Sequence, residues 1–291
     1  MKKLSLLGFL LISSIVSVSQ NLVPFKNGNE LYGYKDKSGN IVIQPEYKEA
    51  NKFYKNVAWV TTKDDKDVLI NESNKALTPL YDRAYGEGFD STNDLAAVSL
   101  NDKYGFVDLK GKVVIPLIYQ KVTDFEKGLA NAIINHKAGL INTSGKVVIP
   151  IKYDDQFLIE FDSKGYAPAA LNNKWGYLDV TGKTIIPFIY DDAYPFVGDY
   201  AMVGKGKGKY GMIDCKNKIS VPLIYSDFGV AGEDLYIASL DKVKYGFIDH
   251  SGKVIIPFVY NSVGRFENGK SLVKKGNEEF YIDKTGSRVD K

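Results

Sequence analysis

The sequence holds one cysteine, Cys215, and two histidines, His136 and His250, the residue types from which a thiol nucleophile and its base are assembled. Cys215 and His250 occupy the same position of two turns one repeat apart, where side chains are solvated and too far separated to share a proton. Six aspartates at equivalent turn positions (Asp36, Asp108, Asp179, Asp214, Asp249, Asp283) could suggest a ladder of calcium sites. Calcium takes six to eight oxygens, and one carboxylate per turn supplies too few. Each Asp reads instead as an acceptor for backbone N–H groups of its own turn. Gly204-Lys205-Gly206-Lys207-Gly208-Lys209 has the composition of a phosphate cradle but lacks the Gly-Lys-Ser/Thr ending and a following helix. It reads as a lysine-rich loop. Asp154-Asp155 and Asp191-Asp192 are carboxylate pairs, yet glycoside hydrolysis needs two carboxyls facing each other across a cleft. Neighbours just after a strand read as turn or cap residues. No catalytic, metal-binding or cofactor-binding residue is assigned, and the chain is not expected to be an enzyme.

The elements that place these residues recur. Lys103-Tyr104-Gly105-Phe106-Val107-Asp108 followed by Gly111-Lys112-Val113-Val114-Ile115-Pro116 returns as Lys244-Tyr245-Gly246-Phe247-Ile248-Asp249 followed by Gly252-Lys253-Val254-Ile255-Ile256-Pro257. The turn's last position falls at residues 39, 74, 111, 145, 182, 217, 252 and 286, which makes eight copies in steps of 34 to 37 residues. A unit this short cannot bury its own apolar face, so copies must stack.

Each copy has three parts. An aromatic-Gly pair opens it (Tyr32-Gly33, Trp175-Gly176, Tyr210-Gly211), weakened to Asp67-Val68, Ala138-Gly139 and Glu279-Phe280. A turn follows, with Asp or Asn first and only Gly or Asn last, as a site with positive φ requires. A β-branched run then ends in Pro and Tyr, as in Thr184-Ile185-Ile186-Pro187 with Tyr190. The pair and the run should form a hairpin, with Pro at a strand end or sheet edge. A third strand begins about ten residues after that Tyr, after Phe125-x-x-Gly128 or Phe161-x-x-x-Gly165. The fold expected is all-β: three-stranded repeats stacked as an open curved array, with a closed propeller-like ring as the alternative.

Lys174-Trp175-Gly176-Tyr177-Leu178-Asp179 with Thr181-Gly182-Lys183-Thr184-Ile185-Ile186-Pro187, together with the Tyr-Gly copies, resembles the WG-repeat family, also known as KWG repeats. The resemblance covers residues 20–291 and implies an all-β repeat domain common in exported bacterial proteins. It carries over no catalytic residues, since family members generally lack an assigned activity.

Residues 1–19 differ from the rest. A Lys2-Lys3 head, an apolar stretch Leu4–Val18 and small residues Ser17 and Ser19 before Gln20 have the layout of a signal peptide, so the mature chain is expected in the periplasm, outside the cell or at its surface. No later stretch is long and apolar enough to span a membrane. With 38 basic against 35 acidic residues, mixed along the chain, no nucleic-acid footprint is indicated. The function expected is a non-catalytic scaffold for protein–protein interaction, its partner a protein or cell-envelope polymer, with a carbohydrate or cell-wall binding module as the alternative. Trp59 breaks the repeat, standing where other copies have Asn131, Pro168 or Met202. It is the residue expected at a contact surface, because interface hot spots favour Trp.

Overall fold

The computed structural model describes residues 21–85, 89–156, 158–206 and 208–290. The proposed signal peptide, residues 1–19, lies outside them. The chain forms two compact units divided after Leu117, inside the strand Val113–Tyr119. All assigned elements among the described residues are strands, arranged as antiparallel sheets of three or four consecutive strands. Among the described residues no helix is long and apolar enough to cross a membrane.

One sheet of the second unit shows the plan. Leu129–Ile134 pairs with Lys137–Asn142, which pairs with Val147–Asp154. A two-residue strand, Lys121–Val122, adds a fourth on the other side. These short outer strands recur at Arg83–Ala84, Asp192–Ala193 and Ser262–Val263. Most sheets therefore have four strands, where the sequence suggested three, because the residues just after the repeat Tyr pair before the chain turns away.

The glycine of the aromatic-Gly pair is set by a crossing of two backbones. A Cβ on Gly105, Gly211 or Gly246 would lie 2.4 Å from the carbonyl oxygen of Ile115, Val221 or Ile256, and at Gly139 and Gly176 the gap is 2.6 Å. No side chain fits there. The register slips opposite this point, for example between Trp175 and Tyr177 against Tyr190 and Ile186, which is a β-bulge. Where the glycine is missing, the run fails. Copy two has Val68, and residues 76–81 make only isolated bridges, Ile70 with Ala76 and Asp67 with Tyr81. Copy four lost only its aromatic, to Ala138, and keeps a full strand.

The turns follow the sequence expectation in all eight copies. Oδ1 of Asp179 accepts the N–H groups of Thr181 (2.9 Å) and Lys183 (3.0 Å), and Asn142 does the same for Ser144 and Lys146. The last residue has φ near +80° at Gly182 and +64° at Asn217. At Asp36, Asp179 and Asp283 hydrogen bonds from the Asn40 amide and the Thr181 and Thr285 hydroxyls, respectively, are the largest influence, and with the turn N–H groups they hold the carboxyl below its ordinary range.

The cores lie between consecutive sheets. One joins Tyr177, Ile186 and Tyr190 to Phe196, Ala201, Val203 and Ile213 of the next sheet. Small residues on the inner strands let the sheets approach, and aromatic pairs close the seam: Tyr34 with Phe53 at 4.7 Å, Tyr177 with Phe196 and Phe247 with Phe266 at 4.9 Å. Burial pushes the Tyr34 and Tyr177 phenols well above their usual range. Both remain protonated donors, to the carbonyls of Asn51 and Tyr194. The turn of one copy also rests on the run of the copy before it. Gly182 faces Ile149 and Gly286 faces Ile256, and where Asn replaces Gly it takes a hydroxyl from the preceding repeat Tyr: Tyr47 to Asn74, 2.7 Å, and Tyr190 to Asn217, 2.6 Å.

Two predictions follow from these contacts. Gly176→Ala is expected to cost about 1–3 kcal/mol, whereas Gly229→Ala, with nothing within 4 Å of the added Cβ, stays within about 0.5 kcal/mol. Equal midpoints in urea unfolding would refute the backbone crossing. The turn carboxyls have folded pKa values below their unfolded ones, so their stabilisation is present above the unfolded value, about pH 4, and is lost as pH falls through the folded one. Melting temperature should therefore drop on acidification below about pH 4, and the drop should be smaller in Asp179→Asn. An unchanged acid slope in that variant would show that the turns do not contribute it.

Candidate interaction surface

The residues singled out for chemistry each have a place in the frame. Asp154, one position after the repeat Tyr, bonds Lys137 Nζ (2.6 Å) and accepts the N–H of Asn173 (2.8 Å) in the next hairpin turn. Asp191 repeats this with Lys174 and the N–H of Gly206. The lysine in each case precedes the aromatic-Gly pair, and its hydrogen bond, followed by the turn N–H, holds each carboxyl below its ordinary range. Asp155 lies 3.4 Å from His136, and Asp192 accepts the Tyr210 hydroxyl at 3.1 Å. The carboxylate pairs thus cap turns and tie lysines, as the sequence suggested.

Cys215 packs at the edge of the Tyr177–Phe196 core, while the His250 ring lies 5.6 Å from that of Tyr200. Among the described residues no hydrogen bond joins them, and no three of His, Cys, Asp and Glu stand together as a metal would require. Of the lysine-rich loop, Lys205 Nζ sits 6.0 Å over the Tyr190 ring; Lys207 lies outside the described residues.

Trp59 is not at a surface. It is 4% exposed, packed between Tyr81 and Phe89 with both ring centroids at 6.2 Å. It stands directly opposite Leu69, the residue after Val68, where other copies carry Tyr34, Phe106, Tyr177 or Phe247. The indole fills the space that this smaller side chain leaves. Its Nε1 is buried without a hydrogen-bond partner. Breaking the repeat marked a packing repair.

The surface feature that does recur was hidden in the run. In three runs, those with Pro116, Pro187 and Pro222, the Pro points outward on an edge strand and an isoleucine two further on is exposed: Ile118 at 51%, Ile189 at 38% and Ile224 at 47%. In the second unit the first residue of the run joins them, as Val147, Ile219 and Val254. Strand alternation predicts one outward face per run; the bulge over the glycine is what turns the Pro and Ile to the outside, and no sequence period shows that. Pro also removes an N–H from the edge, which blocks its extension by another strand.

No curated protein matches the chain. Among solved structures, it is 12% identical to BamB from Moraxella catarrhalis over 91% of this chain and 96% of that one, with a TM-score of 0.34. It is 11% identical to apo AztD from Citrobacter koseri (92% and 93% covered, TM-score 0.37) and 12% identical to the computationally designed Ika8 protein (92% and 94%, TM-score 0.37). The pattern of the WG containing repeat matches residues 32–66, 104–137, 139–175, 175–210 and 245–278, more than half of the sequence. These matches begin at or beside the aromatic-Gly pairs whose glycines lie under the run, and the chain belongs to the WG-containing repeat family.

Proposed function

We propose that this chain is an exported, non-catalytic repeat scaffold that binds another protein through the outward row of its runs, in the periplasm or at the cell surface. The observation that carries the reading is the exposed Pro-x-Ile pair of the edge strands, at Pro187 and Ile189 and again at Pro222 and Ile224. Apolar side chains repeated in register on a surface are a feature of interaction sites, and edge prolines keep that surface from recruiting strands unselectively. The polar residues considered for chemistry are engaged in turns and caps, which supports a structural role for them. The layout of residues 1–19 supports export. Carbohydrate binding loses the ring proposed for it, since Trp59 lies in the core.

The full chain, tagged at its C-terminus and expressed in its own organism, would be captured with and without the pair Ile189→Glu and Ile224→Glu. One protein recovered in near-equal amount by the wild type, and reduced at least tenfold by the variant at unchanged melting temperature, is the expected result. Equal recovery by both would remove this surface from the proposal, and recovery of glycan without protein would replace it with carbohydrate binding. The intact mass of the same material tests export. A chain beginning at Gln20 is expected; one retaining residues 1–19 would overturn it.

A further inference from the structure

The fourth copy departs from the common pattern at three places that meet in space. Its residue after Gly139 is Leu140, where Tyr34, Phe106, Tyr177 and Phe247 stand elsewhere. The aromatic that would close the seam falls six residues after the repeat Tyr, as Phe53, Phe125, Phe196 and Phe266 do after Tyr47, Tyr119, Tyr190 and Tyr260. After Tyr153 that position is Ile159, not Phe161 as the sequence suggested, and Ile159 packs with Leu140. The chain then takes seven residues to reach Tyr166 (166 − 159), where four separate Phe196 from Tyr200 (200 − 196). The added residues make another Asp-capped turn: Asp162 Oδ1 accepts the N–H groups of Lys164 and Tyr166. Two aromatic rings are thus replaced by two aliphatic ends, with extra chain beside them; the sixth copy also lacks both rings, as Met212 and Ala231, but there Phe228 packs with Met212 and no chain is added.

Copy two also has a small residue at this position, Leu69, and there Trp59 stands opposite and fills the gap. Opposite Leu140 stands Asn131, which fills nothing. Asn131 is 6% exposed, and its amide brackets Ile159: the Ile159 N–H donates to Oδ1 (2.9 Å) and Nδ2 donates to the Ile159 carbonyl (3.2 Å). That bracket holds the linker against the fourth sheet. The next sheet, Tyr166–Leu171 with its two partners, lacks the short outer strand. Pro168 stands in it at the register of Asn131, whose own N–H is directed to Thr123 Oγ1 in that outer segment, and Pro has no N–H to give.

The result is an open cavity of about 750 Å³ in the second unit, within the size range of ligand pockets. Leu129, Leu140, Ile159 and Val180 line it, with Phe125 and Phe161. Asp124, Glu126 and Glu160 also line it, against the single ammonium of Lys127. None of these three carboxylates is in an ion pair or a side-chain hydrogen bond among the described residues.

We propose that this cavity binds an aromatic side chain flanked by basic residues on a partner protein, the missing ring of the fourth copy being supplied from outside. The ring is inferred from what fills the same place in other copies, and the basic flanks from the charge that faces it. This rests on the protein-binding reading above and names the chemistry of the partner.

The test is a titration of the isotope-labelled full chain with acetyl-Lys-Trp-Lys-amide, followed by backbone amide shifts, with acetyl-Lys-Ala-Lys-amide and acetyl-Glu-Trp-Glu-amide as comparisons. Saturable shifts at Leu129, Leu140 and Ile159 with the first peptide, at least tenfold weaker with the others, are expected. No shifts there, or equal shifts with all three, would overturn the site. The double variant Leu140→Tyr and Ile159→Phe restores the aromatic pair. It should melt no lower than wild type and lose binding at least tenfold, and unweakened binding by that variant would count against the proposal. Glu160→Lys, an exposed change, should weaken binding severalfold should the double variant fail to fold; undiminished affinity in it would be equally adverse. The capture experiment separates the two readings. A protein retained equally by wild type and filled variant removes the cavity and leaves the scaffold, while peptide binding with no protein captured does the reverse.

Discussion

The chain depends on one backbone-on-backbone contact, repeated along its length. A carbonyl of the run lies so close over the glycine of the aromatic-Gly pair that any Cβ would overlap it. That crossing forces the bulge, and the bulge sends the following Pro and Ile outward while returning the repeat Tyr to the core. Its weight is visible within the molecule. Val68 stands where glycine is needed, and its copy makes only isolated bridges in place of the run; Ala138-Gly139 keeps the glycine and keeps the strand. The aromatic of the pair is therefore replaceable and the glycine is not, although the aromatic is the more conspicuous letter in the sequence.

The all-β repeat, the hairpins and the turns were legible, because each depends on residues a few positions apart. The choice between Gly and Asn at the turn's end disclosed positive φ, and the Asp at its start disclosed the acceptor. Contacts made across copies were not legible. Trp59 looked exposed because it broke the pattern, but the reason for the break lay in Val68 and Leu69 on another strand. Phe161 looked like the repeat aromatic because it precedes Gly165 as Phe125 precedes Gly128. The offset from Tyr153 assigns that place to Ile159, and only the inserted turn at Asp162 shows why the two counts disagree. The outward apolar row was hidden for a similar reason, since a bulge shifts the alternation that sequence reading relies on.

Variation among the copies falls into two kinds. Some changes are compensated, as Trp59 compensates Leu69, or as Asn74 and Asn217 add a hydrogen bond where glycine offers only contact. Leu140, Asn131 and Pro168 are changes that nothing offsets, and together they open a space instead of closing one.

Every sheet is made of consecutive strands, and this bears on how the molecule comes into being. All-β proteins usually fold slowly because distant segments must find one another before pairing gains anything. Here a strand's partners are its immediate neighbours in sequence, so loop closure is short at each step. A copy already holds within itself what its sheet needs, and the next copy meets a formed surface on which to condense. Assembly can then run from copy to neighbouring copy along the chain, as in a repeat array where folding nucleates in one place and propagates.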